Sequence, residues 1–180
     1  MADSNITKNA LAASLKSLMT VKAFNKINIS EICELCHMNR KSFYYHFRDK
    51  EDLLNWIFDT EFSKICSPDP DDGLWDELVI LSSYLHDNRA FYKKAFKIEG
   101  QNSPSSHLHS ILYPLCKERL HSLLKNEEIT DFQVNFFADG ILCAIKRWIT
   151  SNDCISPEKF TEQIRSCMCV AAEEFLRANK

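Results

Sequence analysis

Glycine scarcity constrains this chain more than any other feature. Only Gly73, Gly100 and Gly140 occur in 180 residues, where average usage of roughly 7% would give about a dozen. Glycines spaced this widely cannot form a GxGxxG or GxxxxGK[ST] phosphate loop or a GxSxG nucleophile elbow, which need them a few residues apart. They also cannot supply the turns of a many-stranded sandwich. A mostly helical protein remains, and with 45% apolar and 26% charged residues it has the composition of a folded domain with a sizeable core.

The residues from Met1 to Asn5 are polar and lack the order of a signal peptide. Purely apolar runs such as Ile141 to Ile145 fall far short of the roughly 20 residues that span a bilayer. The expected location is the cytoplasm, with no membrane partner. The eight cysteines are therefore read as reduced thiols and not as a disulfide framework.

Charge is divided unevenly. Residues 1–50 hold eight Lys/Arg against four Asp/Glu, a net +4, while residues 51–180 hold fourteen against twenty-one, a net −7. A basic front on an acidic body suits an anionic partner such as nucleic acid.

Helical periodicity organises the rest. Ile6, Ala10, Leu11, Leu15, Leu18 and Met19 predict a first amphipathic helix ending near Lys22. Phe24 and Ile27 read as core plugs in the connection. Asn28-Ile-Ser-Glu31 is a capping box that opens a short helix, and Asn39 is a second N-cap, opening another over Arg40 to Phe47. A longer helix follows through Leu53, Leu54, Ile57, Phe58, Phe62 and Ile65. Ser67 to Gly73 reads as a linker. Further helices are expected over 74–87, 89–97, 107–125, 130–151 and 157–178, after a turn-rich stretch from Gly100 to Ser106. The total is about nine.

Two short helices joined by a three-residue turn and braced by longer helices form the helix-turn-helix arrangement. Its second helix enters the major groove with its first residues at base edges. Here those residues are Arg40, Lys41 and Ser42, two long cationic donors and a short hydroxyl. Phe43 and Phe47 face inward and anchor the helix. Tyr44, Tyr45, His46 and Lys50 can donate to phosphates, which fixes register without reading sequence.

The run from Asn28 to Leu54, and above all its Phe-Tyr-Tyr-His-Phe-x-x-Lys-x-x-Leu-Leu core, closely resembles the signature of the TetR family. The likeness extends over about residues 6–58. It implies an all-α homodimeric transcription regulator of bacterial type. Residues 1–50 would form a three-helix DNA-binding domain, and 51–180 a helical regulatory, ligand-binding and dimerisation domain. It also implies a palindromic double-stranded DNA operator. Asn28, Arg40, Tyr44, Tyr45, His46 and Lys50 match the family's usual phosphate contacts, and Lys41 and Ser42 match positions that often touch bases. Two positions depart from the pattern. Asn28 stands where Thr or Ser is usual, and the bulkier Cys36-His37 replaces the turn's frequent Ala-Gly. The segment from Phe91 to Ser103 resembles the dihydroxyacetone-kinase-regulator-like branch, which implies control of an operon and leaves repression and activation both open.

Other patterns favour structure over chemistry. Cys33-Glu-Leu-Cys36-His37 has the CxxCH form of haem attachment and could supply part of a zinc site, yet it lies in a packed turn with no second ligand pair at a standard spacing. Core and turn packing is the reading adopted, with neither metal nor cofactor. Cys167 and Cys169 point about 200° apart on a helix, which disfavours shared ligation. No set of ionisable residues supports catalysis; Asp69, Asp71 and Asp72 lie in the linker, which could not hold a productive geometry.

Aromatic residues make up 11% of the chain. Tyr84, Phe91, Tyr92, Phe96, Tyr113, Phe137 and Trp148, with Trp56 and Phe62, are candidates to line an effector pocket, core filling being the competing use. The stripes Phe132, Phe136, Ile145 and Phe160, Ile164, Met168, Phe175 on the last two helices would, doubled by a two-fold axis, make a four-helix dimer interface. The effector is expected to be a small molecule or a protein co-regulator. In the alternative reading, the rear is a protein-interaction platform with no pocket of its own.

Overall fold

The computed structural model describes residues 2–65, 74–100, 103–123 and 128–178, apart from the side chains at 2, 3, 63–65, 74, 123 and 172–178. The expected linker from Ser67 to Gly73, with its three aspartates, and the side chain of Phe175 lie outside the described residues. Those described form an all-α fold without strands. Its helices are α1 (Ala2–Val21), a 3-10 turn η1 (Phe24–Lys26), α2 (Ile29–Leu35), α3 (Arg40–His46), α4 (Lys50–Ile65), α5 (Leu74–Asp87), α6 (Arg89–Ala95), α7 (Pro104–Leu123), α8 (Asp131–Thr150) and α9 (Pro157–Ala178). None of them is long and apolar enough to cross a membrane.

One expected boundary moves. The stretch read as a turn through Ser106 already belongs to α7, which starts at Pro104. The Ser103 hydroxyl accepts from the Ser106 amide at 3.3 Å, and proline just inside a helix start forfeits only an N–H that would have had no partner within the helix.

The chain divides into two compact units, one of Met1–Ser63 with Arg89–His107 and one of Lys64–Asn88 with Leu108–Lys180. In the first, Leu11, Leu15 and Met19 put one fully buried face of α1 against α2, α3 and α6. Phe24 and Ile27 are buried as expected of core plugs. Beside them lies a knot of rings from α4 and α6. Phe58 stacks on Phe62 at 5.8 Å, and Tyr92 lies 6.0 Å from both. Removing such a buried ring costs ~3–5 kcal/mol.

Polar groups in this core are satisfied. The Tyr92 hydroxyl donates to Glu61 Oε2 at 2.8 Å, and Lys16 Nζ approaches Glu61 Oε1 at 2.6 Å. At the far end of α1, Lys94 donates to the Thr20 carbonyl at 2.7 Å. Helix α6 is thereby tied to α1 and α4 by both apolar and polar contacts.

In the second unit, α5 packs chiefly on α9. Leu108, Leu112, Cys116 and Leu120 recur every fourth residue along the buried side of α7. Trp148 lies flat on Phe160 at 4.2 Å and donates from Nε1 to the Ile155 carbonyl at 2.8 Å. That bond lets a large ring be buried without stranding its N–H.

Candidate nucleic-acid interface

Side-chain caps position the two short helices. Asn28 takes extended backbone angles, its side chain accepts from the Glu31 amide at 3.0 Å, and Glu31 returns the bond by accepting from the Asn28 amide at 3.1 Å. Lys22 pairs with the other Glu31 oxygen. That ion pair, and then the Asn28 amide, hold the Glu31 carboxyl below its ordinary value of 4.5. At α3, Asn39 Oδ1 accepts from the Ser42 amide at 2.8 Å and from the Ser42 hydroxyl at 3.2 Å.

The turn between them is a Schellman closure. The Met38 amide donates to the Cys33 carbonyl at 2.8 Å, and the His37 amide to the Glu34 carbonyl at 3.1 Å. This geometry requires a left-handed residue, and His37 supplies it with a φ of 57°. Cys36 Sγ lies 3.3 Å from the Ile32 carbonyl, while Cys33 is buried and its thiol pKa is raised chiefly by that burial. Both thiols thus serve packing and helix termination. Among the described residues, no group of three His, Cys, Asp or Glu is placed to hold a metal ion.

Helix α3 is amphipathic in the way a reading helix requires. Phe43 and Phe47 are buried, their rings 5.9 Å apart. Arg40, Lys41, Tyr44 and Tyr45 are exposed, Tyr45 at 83%. Arg40 donates to the Tyr44 hydroxyl at 3.3 Å and lies over that ring, which orients one edge of the guanidinium and leaves other N–H groups to point outward. Arg40 joins Asn28, Ser30 and the start of α4 around a shallow surface hollow.

Lys50 is placed differently from the other cations. Its ammonium lies 2.9 Å from the Phe24 carbonyl, 2.8 Å from that of Ile27 and 3.5 Å from that of Asn25. Sequence reasoning could not find this, because the acceptors are main-chain atoms more than twenty residues away. It also missed the cap of α4, where Asp49 accepts from the Asp52 amide at 2.7 Å and Asp52 accepts from the Arg48 amide at 3.0 Å. The Arg48 amide is the main reason the Asp52 pKa falls below its ordinary 3.8.

The residues read as a pocket lining are distributed over both units. Phe91, Tyr92 and Phe96 are buried in the first, where the nearby Phe62 is also core. In the second, Trp148 belongs to the stack on Phe160, the Tyr113 hydroxyl donates to Asp131 at 2.7 Å, and Tyr84 is half-buried on α5. Phe137 lines an apolar groove between α8 and α9.

That groove collects most of the residues read as a dimer face. Phe132, Phe136, Phe160, Ile164 and Met168 line it, with Gly140 and Ala144 as its small residues. Phe132 and Phe136 are 78% and 64% exposed, so two large rings stand in solvent in the isolated chain. Ile145 is a correction. It is fully buried, because one residue beyond Ala144 turns about 100° round the helix and faces the core.

With this geometry in place, comparison with known proteins gives a consistent result. Residues 11–57 match the family described as "Bacterial regulatory proteins, tetR family", and residues 75–168 match the "Transcriptional regulator C-terminal region". Over 100 residues the chain is 36% identical to the HTH-type dhaKLM operon transcriptional activator DhaS of Lactococcus lactis subsp. lactis (strain IL1403). That match covers 55% of this chain and 54% of the relative, so it spans about half the relative's length. The solved structure of a dihydroxyacetone kinase operon activator DhaS superposes with a TM-score of 0.72 at 25% identity, covering 93% of this chain and 97% of the other. A TetR transcriptional regulator from Streptococcus agalactiae 2603V gives 0.74 at 19% identity over 92% and 95% of the two chains, a likeness of fold.

Proposed function

The chain belongs to the TetR family of bacterial transcriptional regulators, and we propose that it reads a palindromic operator as a homodimer, under control of a signal received by its C-terminal helices. One observation carries the DNA reading. Helix α3 buries Phe43 and Phe47 and turns Arg40, Lys41, Tyr44 and Tyr45 outward, on a turn locked by the Schellman bonds.

In this reading Lys41 and Ser42 meet base edges in the major groove, while Asn28, Arg40, Tyr44, Tyr45, His46 and Lys50 hold phosphates. The groove between α8 and α9 receives the same helices of a second copy, which covers Phe132 and Phe136 and forms a four-helix interface. Two reading helices then address half-sites about one helical turn apart, roughly 34 Å. The effector acts by binding one separation of those helices better than the other. Likeness to DhaS, an activator of the dhaKLM operon, supports control of an operon, with activation the first sign to test. The packing of Phe91, Tyr92, Phe96 and Trp148 as core residues favours a protein co-regulator over a small molecule lodged among those rings.

The test is fluorescence anisotropy with a duplex from just upstream of the gene against a scrambled duplex, across a salt series. Tight, salt-sensitive and sequence-selective binding is expected, and Lys41→Ala should cost about 1–3 kcal/mol and relax the preference at one position of each half-site. Equal affinity for both duplexes at every salt would end the operator reading for that region.

A further inference from the structure

We infer that Cys33 and Cys36 are a modification site: low-molecular-weight disulfides oxidise the pair to an intrahelical disulfide that displaces the turn before α3 and reversibly weakens DNA binding. The DNA consequence rests on the operator reading above, and the thiol chemistry rests on geometry alone.

Cys33 and Cys36 are the only cysteines three residues apart in the chain, and they occupy the last turn of α2 and its C-cap. Side chains at that spacing share one face of a helix, with Cβ atoms about 5–6 Å apart. Cys36 Sγ lies 3.3 Å from the Ile32 carbonyl and 3.5 Å from that of Cys33, so its thiol folds back over the turn that carries its neighbour. Each thiol is within electrostatic reach of the other. Burial is the main cause of the raised Cys33 pKa, Cys36 adds to it, and the Arg40 charge opposes it. By contrast, Cys167 and Cys169 point about 200° apart.

Exposure divides the roles. Cys36 is half-buried and can be reached from solvent, whereas Cys33 is 2% exposed. Cys36, as thiolate, attacks one sulfur of a small disulfide, forming a mixed disulfide and releasing one small thiolate. Cys33, as thiolate, then attacks Cys36 Sγ, which closes the Cys33–Cys36 bond and expels the second small thiolate. The protein thiols give up two electrons and two protons, and the small disulfide takes up both to become two thiols. Proximity offsets the small thiolate fraction of Cys33. A reducing compartment keeps such a bond transient.

The backbone carries the change to α3. A disulfide needs Cβ atoms about 3.5–4.5 Å apart, closer than the helix sets them. Cys33 is packed in the core, so the shift falls on Cys36, whose backbone has already left the helix at φ −103° and ψ 12°. His37 follows at a φ of 57°, and then Met38, whose amide is bound to the Cys33 carbonyl at 2.8 Å. Asn39, the cap of α3, comes next. Moving Cys36 therefore pulls on the Schellman closure and turns the start of α3, where Lys41 and Ser42 meet bases in the reading above.

The experiment treats the full-length wild type, Cys33→Ala and Cys36→Ser with oxidised glutathione and then with dithiothreitol. Mass spectrometry of the tryptic peptide of residues 27–40 is expected to show the loss of two hydrogens in the wild type, a glutathione adduct on Cys36 in Cys33→Ala, and no internal disulfide in Cys36→Ser. Affinity for the upstream duplex is compared before and after oxidation. The wild type is expected to weaken about tenfold or more and to recover with dithiothreitol, while Cys36→Ser changes by less than about twofold. A wild type that keeps both thiols, or that stops at a glutathione adduct on Cys36, overturns the inference. So does an oxidised wild type that binds as before, or an equal loss in Cys36→Ser, which would assign the effect to another cysteine. Should the reduced wild type bind no DNA, the operator reading fails, while the peptide masses still decide whether the pair closes. Should Cys33→Ala fail to fold, the wild type and Cys36→Ser carry both measurements.

Discussion

The amide of Met38 donates to the carbonyl of Cys33 at 2.8 Å, and this bond closes α2 around His37, held at a φ of 57°. A left-handed conformation brings Cβ against the following carbonyl and costs ~1–2 kcal/mol in most residues other than glycine. The helix-turn-helix thus contains a local penalty at its sharpest point. His37→Gly should raise stability by about 1 kcal/mol, a rise of ~2–4 °C in melting temperature for a chain of this size. His37→Val should lower it. Thermal unfolding followed by circular dichroism checks both, and equal melting temperatures for all three proteins would contradict the argument.

Acid should loosen the reading head through two carboxyls. Glu31 and Asp52 both have folded pKa values below their ordinary 4.5 and 3.8, so each binds its proton more weakly folded than unfolded. Their stabilisation is complete above those ordinary values and drains away as pH falls through them toward the lower folded values. Glu31→Gln keeps an acceptor for the Asn28 amide but cannot titrate. Its stability should therefore fall less steeply than that of the wild type below about pH 4.5, in urea titrations repeated at half-unit pH steps.

Gly140 provides a test of the proposed dimer. A Cβ built there meets nothing within 4 Å, and the residue lines the α8–α9 groove. Gly140→Ala should stabilise the protomer by about 1 kcal/mol through helix propensity. Gly140→Arg should keep the helical spectrum yet sediment as a monomer, because a charge would be forced into an apolar interface. A Gly140→Arg protein that still sediments as a dimer would place the interface elsewhere.

Thiol chemistry gives an independent measure of the same surface. Cys143, Cys167 and Cys169 are exposed in the single chain, but only Cys167 lines the groove. Maleimide should label Cys143 and Cys169 quickly, and Cys167 slowly at protein concentrations that favour the dimer. Burial pushes the Cys116 pKa up to about 11, so it should label only after denaturation. Peptide mass spectrometry resolves the four sites, and fast labelling of Cys167 at high concentration would count against the interface.

Caps were legible in the sequence because they act over three residues: Asn28 with Glu31, and Asn39 with Ser42. Helix periods were legible for the same reason, and they placed Phe43 and Phe47 inward. Ile145 was misread because a stripe defined by hydrophobicity alone does not separate the face of a helix that meets its own core from the face that meets solvent. The bonds of Lys50 and the Tyr92–Glu61–Lys16 network were out of reach, since each joins residues brought together only by the fold. His37 was noticed as a bulky substitute in the turn. Its backbone angle followed only from the two hydrogen bonds around it.

Tying α6 to α1 also orders events at the ribosome. Thr20 waits 74 residues for Lys94, an interval on the order of seconds at about 5–20 residues per second. Until then Phe58 and Phe62 have no Tyr92 to cover them, although α1 to α4 have already been synthesised. The N-terminal unit is thus not finished first merely because it is made first. A nascent or truncated chain stopped after α4 would present those two rings to chaperones and to other chains, which makes the short helix α6 a gate on the solubility of the newborn protein.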